Sequence, residues 1–405
     1  MSAPKQQIGL FGAVAIGFAS MLGAGVFNVF GAAASETSAL FTALFLAALV
    51  ASLNATSVYQ LARRTSRPGG VYSYARVEWN STSSFIAGFS FVFGKIASIA
   101  AIASVFGVYV FPEQGLATAA GAIVLLALLN ILGINRTALV AAILAIVTTS
   151  YLLVTTTVGI SQASPLNPVF DVVAGPAGIL SAASLIFFAF AGYARVATLG
   201  DEVRDPLKNI PRAIAITLIG VLAIYILVAV ALTLTFEGAL QDLNRPFNLL
   251  AKLVFPEWVT LLVVAGASLG SMLALLAGVS RTAATMAEDA ELPKIFAKRN
   301  RFGSPWLAEV LIAAGAIILL YSNPYWQWMV GFSSFSVLLY YAIGHVAAFR
   351  ASGQKATPGR VVQVLGFILC LALLLAVPGP AVWVSVSILV VALLVRWLVA
   401  RRRAR

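Results

Sequence analysis

Hydrophobic positions in this chain neither alternate with polar ones nor keep to one helical face. They come in runs of roughly 17–25 residues, the length at which a helix crosses a bilayer. We read such runs at 8–34, 38–62, 83–111, 116–133, 138–161, 177–202, 211–236, 257–287, 306–321, 325–350, 360–377 and 381–399. Polar and turn-forming stretches separate them: RPGG at 67–70, NPVFDVVAGP at 167–176, NRPF at 244–247 and PGP at 378–380. A strand-built barrel would alternate apolar and polar over segments of roughly ten residues, and no such alternation is present. The pattern predicts an all-α integral membrane protein of about twelve spans, without a sizeable soluble domain. The 237–256 loop is long enough to carry a short helix.

Two spans are interrupted. The first breaks at Gly23-Ala24-Gly25, inside FASMLGAGVFNVF, and the sixth carries a small-residue interruption at Ala191-Gly192, inside FFAFAGYAR. Both interruptions lie near mid-span, five spans apart, so the two spans cross in opposite directions; an inverted five-plus-five repeat predicts this spacing. Unwound backbone in hydrocarbon costs several kcal/mol per unsatisfied group and persists only where protein or ligand meets it. A half-helix that starts at mid-membrane aims free N–H groups and a positive dipole end at one point, which suits a carboxylate. Carbonyls freed from the other half suit an ammonium group. One small zwitterion satisfies both, and Gly23 and Gly25 let it come close. The rival reading is a small-residue packing face between helices. The GAGVFN run is not a dinucleotide fingerprint, because Asn28 stands where a third glycine belongs and no strand precedes it.

Composition agrees. The 405 residues are 61% hydrophobic and 10% charged, with a formal net charge of +12. Such a charge invites a nucleic-acid reading, but its placement argues for topology. Of the 26 Lys and Arg, 22 fall at alternate span ends, from Lys5 through Arg63, Arg136, Arg204, Arg281 and Arg350 to the RRRAR tail; Arg245 and Lys252 lie on the other side. This bias predicts a multi-pass protein of the plasma (inner) membrane with both termini cytoplasmic and an even number of spans, the tail lying near anionic lipid. The segment 1–7 followed by GAAAS resembles a signal peptide, but the apolar run is too long and its removal would break the even count. Cys370 is the one cysteine, so no internal disulfide forms.

Lys95 and Arg195 are the basic residues placed well inside spans. A charge at the bilayer centre costs at least about 2.5–3.5 kcal/mol and is kept only with a partner, water or a task. Lys95, about 18 Å along its span at 1.5 Å per residue, is too deep to snorkel. Lysine suits proton coupling, because a change in burial changes the balance between its charged and neutral forms; the alternative is a structural bond to a carbonyl. Arg195 follows the second interruption, and Glu202 lies seven residues on along the same face, either as a gating ion pair or as a static one. No Asp or Glu falls at mid-depth, which points to neutral substrates. Ala19, Leu22, Ser268 and Ser271 form a possible sodium site, against the tendency of span serines to bond back to their own helix. No metal site and no cofactor are predicted. His345 is expected to be packed or interfacial, and Tyr72, Tyr74 and Trp79 to serve as interface anchors or loop packing.

The motifs GAGVF (23–27), RPGGVYSYA (67–75), FFAFAGYARVATLGDEVRDPLKNIPRAI (187–214) and SRTAATMAEDAELPKIF (280–296) resemble those of the amino acid–polyamine–organocation superfamily, in the same order, over residues 8–350. The resemblance implies the leucine-transporter-like fold: spans 1–5 (8–161) and 6–10 (177–350) as inverted repeats, two further helices over 360–399, a cytoplasmic segment 1–7 and a basic tail 400–405. It implies secondary transport of amino acids, coupled to protons or by exchange, with sodium symport as the alternative. It places the substrate among Ser20, Leu22, Gly23, Ala24, Gly25, Phe188, Phe190, Ala191 and Gly192, with Phe188 as an aromatic gate. Proton-coupled relatives carry a lysine midway along span five; here that position is Thr148, and Lys95 on span three is the departure. An enzyme lacks its residues: there is one His, one Cys, no HExxH and no Walker A run. A channel and a non-transporting sensor or subunit are the other rivals, and oligomeric state stays open.

Overall fold

The computed structural model describes residues 8–64, 67, 69–132, 137–163, 175–199, 202–236, 240, 242–243, 245–322, 325–351 and 360–403. The segment 1–7 with Lys5, Arg136, Asp201, most of the NPVFDVVAGP loop, Lys355 and Arg405 lie outside the described residues. Sixteen α-helices follow in order: α1 (Leu10–Met21), α2 (Ala24–Ala34), α3 (Leu40–Ala62), α4 (Val71–Glu78), α5 (Ser81–Val110), α6 (Gly115–Ile131), α7 (Thr137–Gln162), α8 (Pro176–Phe190), α9 (Ala194–Ala197), α10 (Pro206–Phe236), α11 (Pro246–Lys252), α12 (Glu257–Glu288), α13 (Trp306–Ser322), α14 (Trp326–Ala351), α15 (Arg360–Leu375) and α16 (Ala381–Arg403).

Among the described residues, nine helices are long and apolar enough to cross a membrane, and the bent pair α1–α2 makes ten. The shorter apolar helices α13 and α15, of 17 and 16 residues, stand where the ninth and eleventh runs were read. The loop after span seven does carry a short helix, α11. Helix α4, which starts inside RPGGVYSYA and runs on to Glu78, was not read from the pattern.

α5 and α14 form the centre. In the most apolar window of each, 78% and 83% of residues are buried, against 6% in α16, which faces outward. Small residues let them approach: a methyl added at Gly94 of α5 would lie 2.6 Å from Ser336 Cβ of α14. The Asn80 side chain caps α5 by accepting from the Ser83 N–H at 2.8 Å. His345 of α14 is held on both ring nitrogens, by the Ser57 hydroxyl at 2.8 Å and the Asn54 side-chain oxygen at 2.7 Å; it is a packed histidine. Tyr72 and Tyr74 are buried on helix α4, not in a loop, and Trp79 at its C-terminal end is partly exposed.

Candidate functional site

The first break lies between α1 and α2. Leu22 ends α1, its N–H donating to the Phe18 carbonyl at 2.7 Å, and the extended Gly23 (φ −77°, ψ −159°) leads into α2. The two helices meet at 41°. No side chain caps α2, so its first N–H groups, which lack partners within the helix, face the break with the positive end of the dipole. Gly23 is needed here for closeness: a methyl on it would fall 2.6 Å from Ser271 Oγ and 2.7 Å from Ser271 Cβ.

The second interruption is gentler than the first. α8 tightens into a 3₁₀ turn over Ala191–Tyr193 and continues as the four-residue α9. The turn still frees carbonyls. The Ala191 carbonyl accepts from Lys95 Nζ at 3.1 Å, so α5 reaches the α8 end with a buried amine. The Tyr225 hydroxyl of α10 lies within hydrogen-bond distance of both breaks, 2.7 Å from the Met21 carbonyl and 3.0 Å from the Ala189 carbonyl, and its one proton is shared between them. Gly192 presses on α1 closely enough that an added methyl would lie 2.6 Å from the Ser20 carbonyl carbon and 2.7 Å from Met21 Cγ.

Between the breaks is a cavity of about 20 Å³, lined by Ser20, Met21, Gly23, Gly25, Lys95, Ser98, Ile102, Phe188, Ala189, Gly192, Ser271 and Leu275. That is room for a water molecule and not for an amino acid. Among the described residues no carboxylate lines it. The Ser271 hydroxyl is buried against Gly23, and no hydrogen bond from the described residues engages it.

Several predicted residues therefore meet here: Ser20, Gly23, Gly25, Lys95, Phe188, Gly192 and Ser271. Others lie behind the wall. Phe190 stacks edge-on against Tyr225 at 4.9 Å between ring centroids. Leu22 is buried in the core, Ala24 contributes backbone as the first residue of α2, and Ala191 contributes its carbonyl. Thr148 is buried on α7 and is not in the lining. Of the sodium set, the Ser268 hydroxyl donates to the Val264 carbonyl of its own helix at 2.6 Å, and neither Ser268 nor Ala19 lines the cavity. The sequence reading missed Tyr225. The signal for it was a tyrosine well inside span seven, where a hydroxyl must find a partner.

The amino acid permease family model matches residues 8–399. The chain belongs to this family. An uncharacterised transporter of Mycobacterium tuberculosis is 39% identical over 412 residues, covering 98% of this chain and 93% of that protein. A branched-chain amino acid permease of Bacillus subtilis is 25% identical over 334 residues, covering 75% and 72%. Among solved structures, a Na⁺-coupled sialic acid symporter, captured substrate-bound and outward-open, superposes with a TM-score of 0.56 at 14% identity over 93% of this chain and 90% of that one; at that identity the likeness shows the fold alone. The permease is thus a multi-pass membrane transporter with the leucine-transporter-like fold, and not an enzyme.

The basic end of the permease is tied by ion pairs. Arg195 lies 3.8 Å from Glu202, and Arg281 of α12 pairs with the same carboxylate oxygen. The Ile8 N–H donates to the Glu202 carbonyl at 2.8 Å and the Arg204 N–H to the Ile8 carbonyl at 2.9 Å, so the start of span one is stitched to the segment after α9. Glu309, which the sequence reading did not single out, is buried at the start of α13 and accepts from the Ser280 hydroxyl at 2.7 Å. A second cluster joins α4, the segment after α12, and α16. Tyr72 donates to Asp289 at 2.7 Å, Arg67 pairs with Asp289, and Glu291 accepts from Arg76 at 3.0 Å and from Arg396 at 2.8 Å. Burial works to raise the Glu291 carboxyl, but the bonds from Arg396, Ser81 and Arg76 outweigh it and hold the group below the usual carboxylate range. Burial and the Asp289 carboxylate together push the Tyr72 phenol well up.

Proposed function

We propose that this permease is a secondary transporter of amino acids that works by alternating access around the small cavity between the two breaks. The supporting observation is convergence: the α2 N-terminus, the Lys95 amine and the unbonded Ser271 hydroxyl reach one cavity from three elements. The substrate carboxylate docks on the α2 N–H groups, and Phe188 closes over it. Lys95 carries the coupled proton; it takes on span three the task that Thr148 cannot perform on span five, since a threonine hydroxyl does not titrate. Arg195, Glu202 and Arg281 close the inner side, both termini lie in the cytoplasm, and residues 8–161 and 177–350 act as the two inverted repeats.

Uptake by the purified chain in proteoliposomes tests this. Saturable uptake of a labelled amino acid, with counterflow, driven by an inward proton gradient and lost in Lys95→Met, is expected. Ohmic current would mean a pore, uptake driven by sodium alone would remove Lys95 from coupling, and no flux at all would make the chain a non-transporting subunit.

A further inference from the structure

Every carbonyl group that the two breaks turn toward each other in an observed side-chain contact already has a donor from the protein. Tyr225 shares its one hydroxyl proton between Met21 and Ala189, and Lys95 donates to Ala191. The carbonyl end of α8 is the negative pole of that helix, and Lys95 meets it. Among the described residues the positive N-terminus of α2 has no such counterpart: no side chain caps it and no carboxylate lines the cavity. The adjoining Ser271 hydroxyl, fully buried, has no hydrogen-bond partner among the described residues. The cavity thus meets the α2 N-terminus and the Lys95 amine, and among the described residues no carboxylate lines it to offset them. A zwitterion brings one carboxylate and one ammonium, leaving the loaded site with the full charge of Lys95 unbalanced in a buried setting. Its ammonium would also compete with Lys95 for the same carbonyls. A buried charge without a partner is costly.

We infer that the substrate carries two carboxylates: an amino acid with an acidic side chain, or a small dicarboxylate. This rests on the transporter reading above and names its substrate class. One carboxylate takes the α2 N–H groups and the Ser271 hydroxyl; the second pairs with Lys95 and draws it away from Ala191. The Ala191 carbonyl is then free for a substrate ammonium where there is one. An acidic amino acid carries one excess negative charge, which the Lys95 ammonium balances; a dicarboxylate carries two and keeps one against the α2 N–H groups. The missing mid-depth carboxylate, which from sequence pointed to neutral side chains, here points to acidic ones, because the lysine is in the same cavity.

The test is binding to the purified full-length protein in detergent, by calorimetry, with L-aspartate, L-glutamate, succinate, L-alanine, L-leucine and L-lysine. At least one two-carboxylate compound is expected to bind roughly tenfold or more tightly than L-alanine, a difference of about 1.4 kcal/mol, with L-lysine weakest. In Lys95→Met that advantage should collapse while L-alanine binding persists. Succinate equal to L-aspartate would identify dicarboxylates, and L-aspartate alone acidic amino acids; both support the inference. L-alanine or L-leucine binding as tightly as every two-carboxylate compound in the unmodified protein would overturn it and leave amino-acid transport standing. Binding of none of the six would overturn both readings. The ranking in the unmodified protein decides even if the variant does not fold.

Discussion

The hydroxyl of Tyr225 donates to the Met21 carbonyl at 2.7 Å, across 204 residues of sequence. Met21 is the last residue of α1, so the bond fixes the place where span one stops. The same hydroxyl reaches Ala189 of the other interrupted span, and one side chain of α10 holds both breaks in register. Its ring packs edge-on to Phe190 and Phe30.

Tyr225→Phe keeps those ring contacts and removes the shared donor. A stability loss of about 1 kcal/mol is expected, read as a drop in melting temperature of the detergent-purified protein. Uptake should fall by a larger factor than stability, because the two breaks lose their common anchor. Unchanged transport would separate the hydroxyl from the working cycle.

Gly192→Ala places a methyl against the Ser20 carbonyl carbon and Met21. Both neighbours belong to α1, so part of the relief must come from backbone movement, and a cost of about 1–3 kcal/mol follows. Gly23→Ala meets a side chain instead, that of Ser271. Adding Ser271→Gly should then restore stability to Gly23→Ala, less about 1 kcal/mol for glycine inside a helix. Thermal unfolding of the two single variants and the double variant checks the coupling; strict additivity would deny the contact.

Glu202→Gln removes the anion that Arg195 and Arg281 share. We expect a loss of about 1.5–3 kcal/mol, the range for hydrogen bonds to charged groups, and faster labelling of a cysteine placed at Ala277, which lies with Arg195 and Arg281 around one small pocket. Labelling at the unmodified rate would mark the pair as static.

Glu291 predicts a pH dependence. Its carboxyl is held below the usual range in the folded protein, so its contribution is present above the unfolded value of about 4.3 and is lost as pH falls through the lower folded value. Glu291→Gln should be less stable than the unmodified protein at neutral pH, and the gap should narrow as pH falls below about 4. Melting curves of both across acid pH test the sign; a gap that widens on acidification would contradict it.

The positions of the membrane crossings were legible in the sequence because a span is a local property: its length follows from bilayer thickness and its composition from the lack of water there. The break at Gly23 was legible for the same reason, since glycines in mid-membrane need an explanation that their own segment supplies. The second interruption was found at the right residues, but its form, a 3₁₀ turn in place of an unwound gap, depends on Tyr225 and Lys95 donating to the carbonyls it frees. Lys95 was conspicuous as a charge out of place; its partner was not, because Ala191 lies 96 residues away. Arg281 read as one more basic residue at a span end, and only its position beside Glu202 makes it part of the inner ion pairs.

The chain's own pattern thus determined that this is a helical membrane transporter, where its helices run and which of them are interrupted. The tertiary structure alone decided which donors meet the freed carbonyls, that the Ser271 hydroxyl finds no partner among the described residues, and that none of those residues brings a carboxylate to the cavity where Lys95 meets the α2 N-terminus. The division is physical: hydropathy and helix propensity act within one segment, whereas hydrogen bonds and charge balance in a closed cavity exist only after distant segments have been packed together.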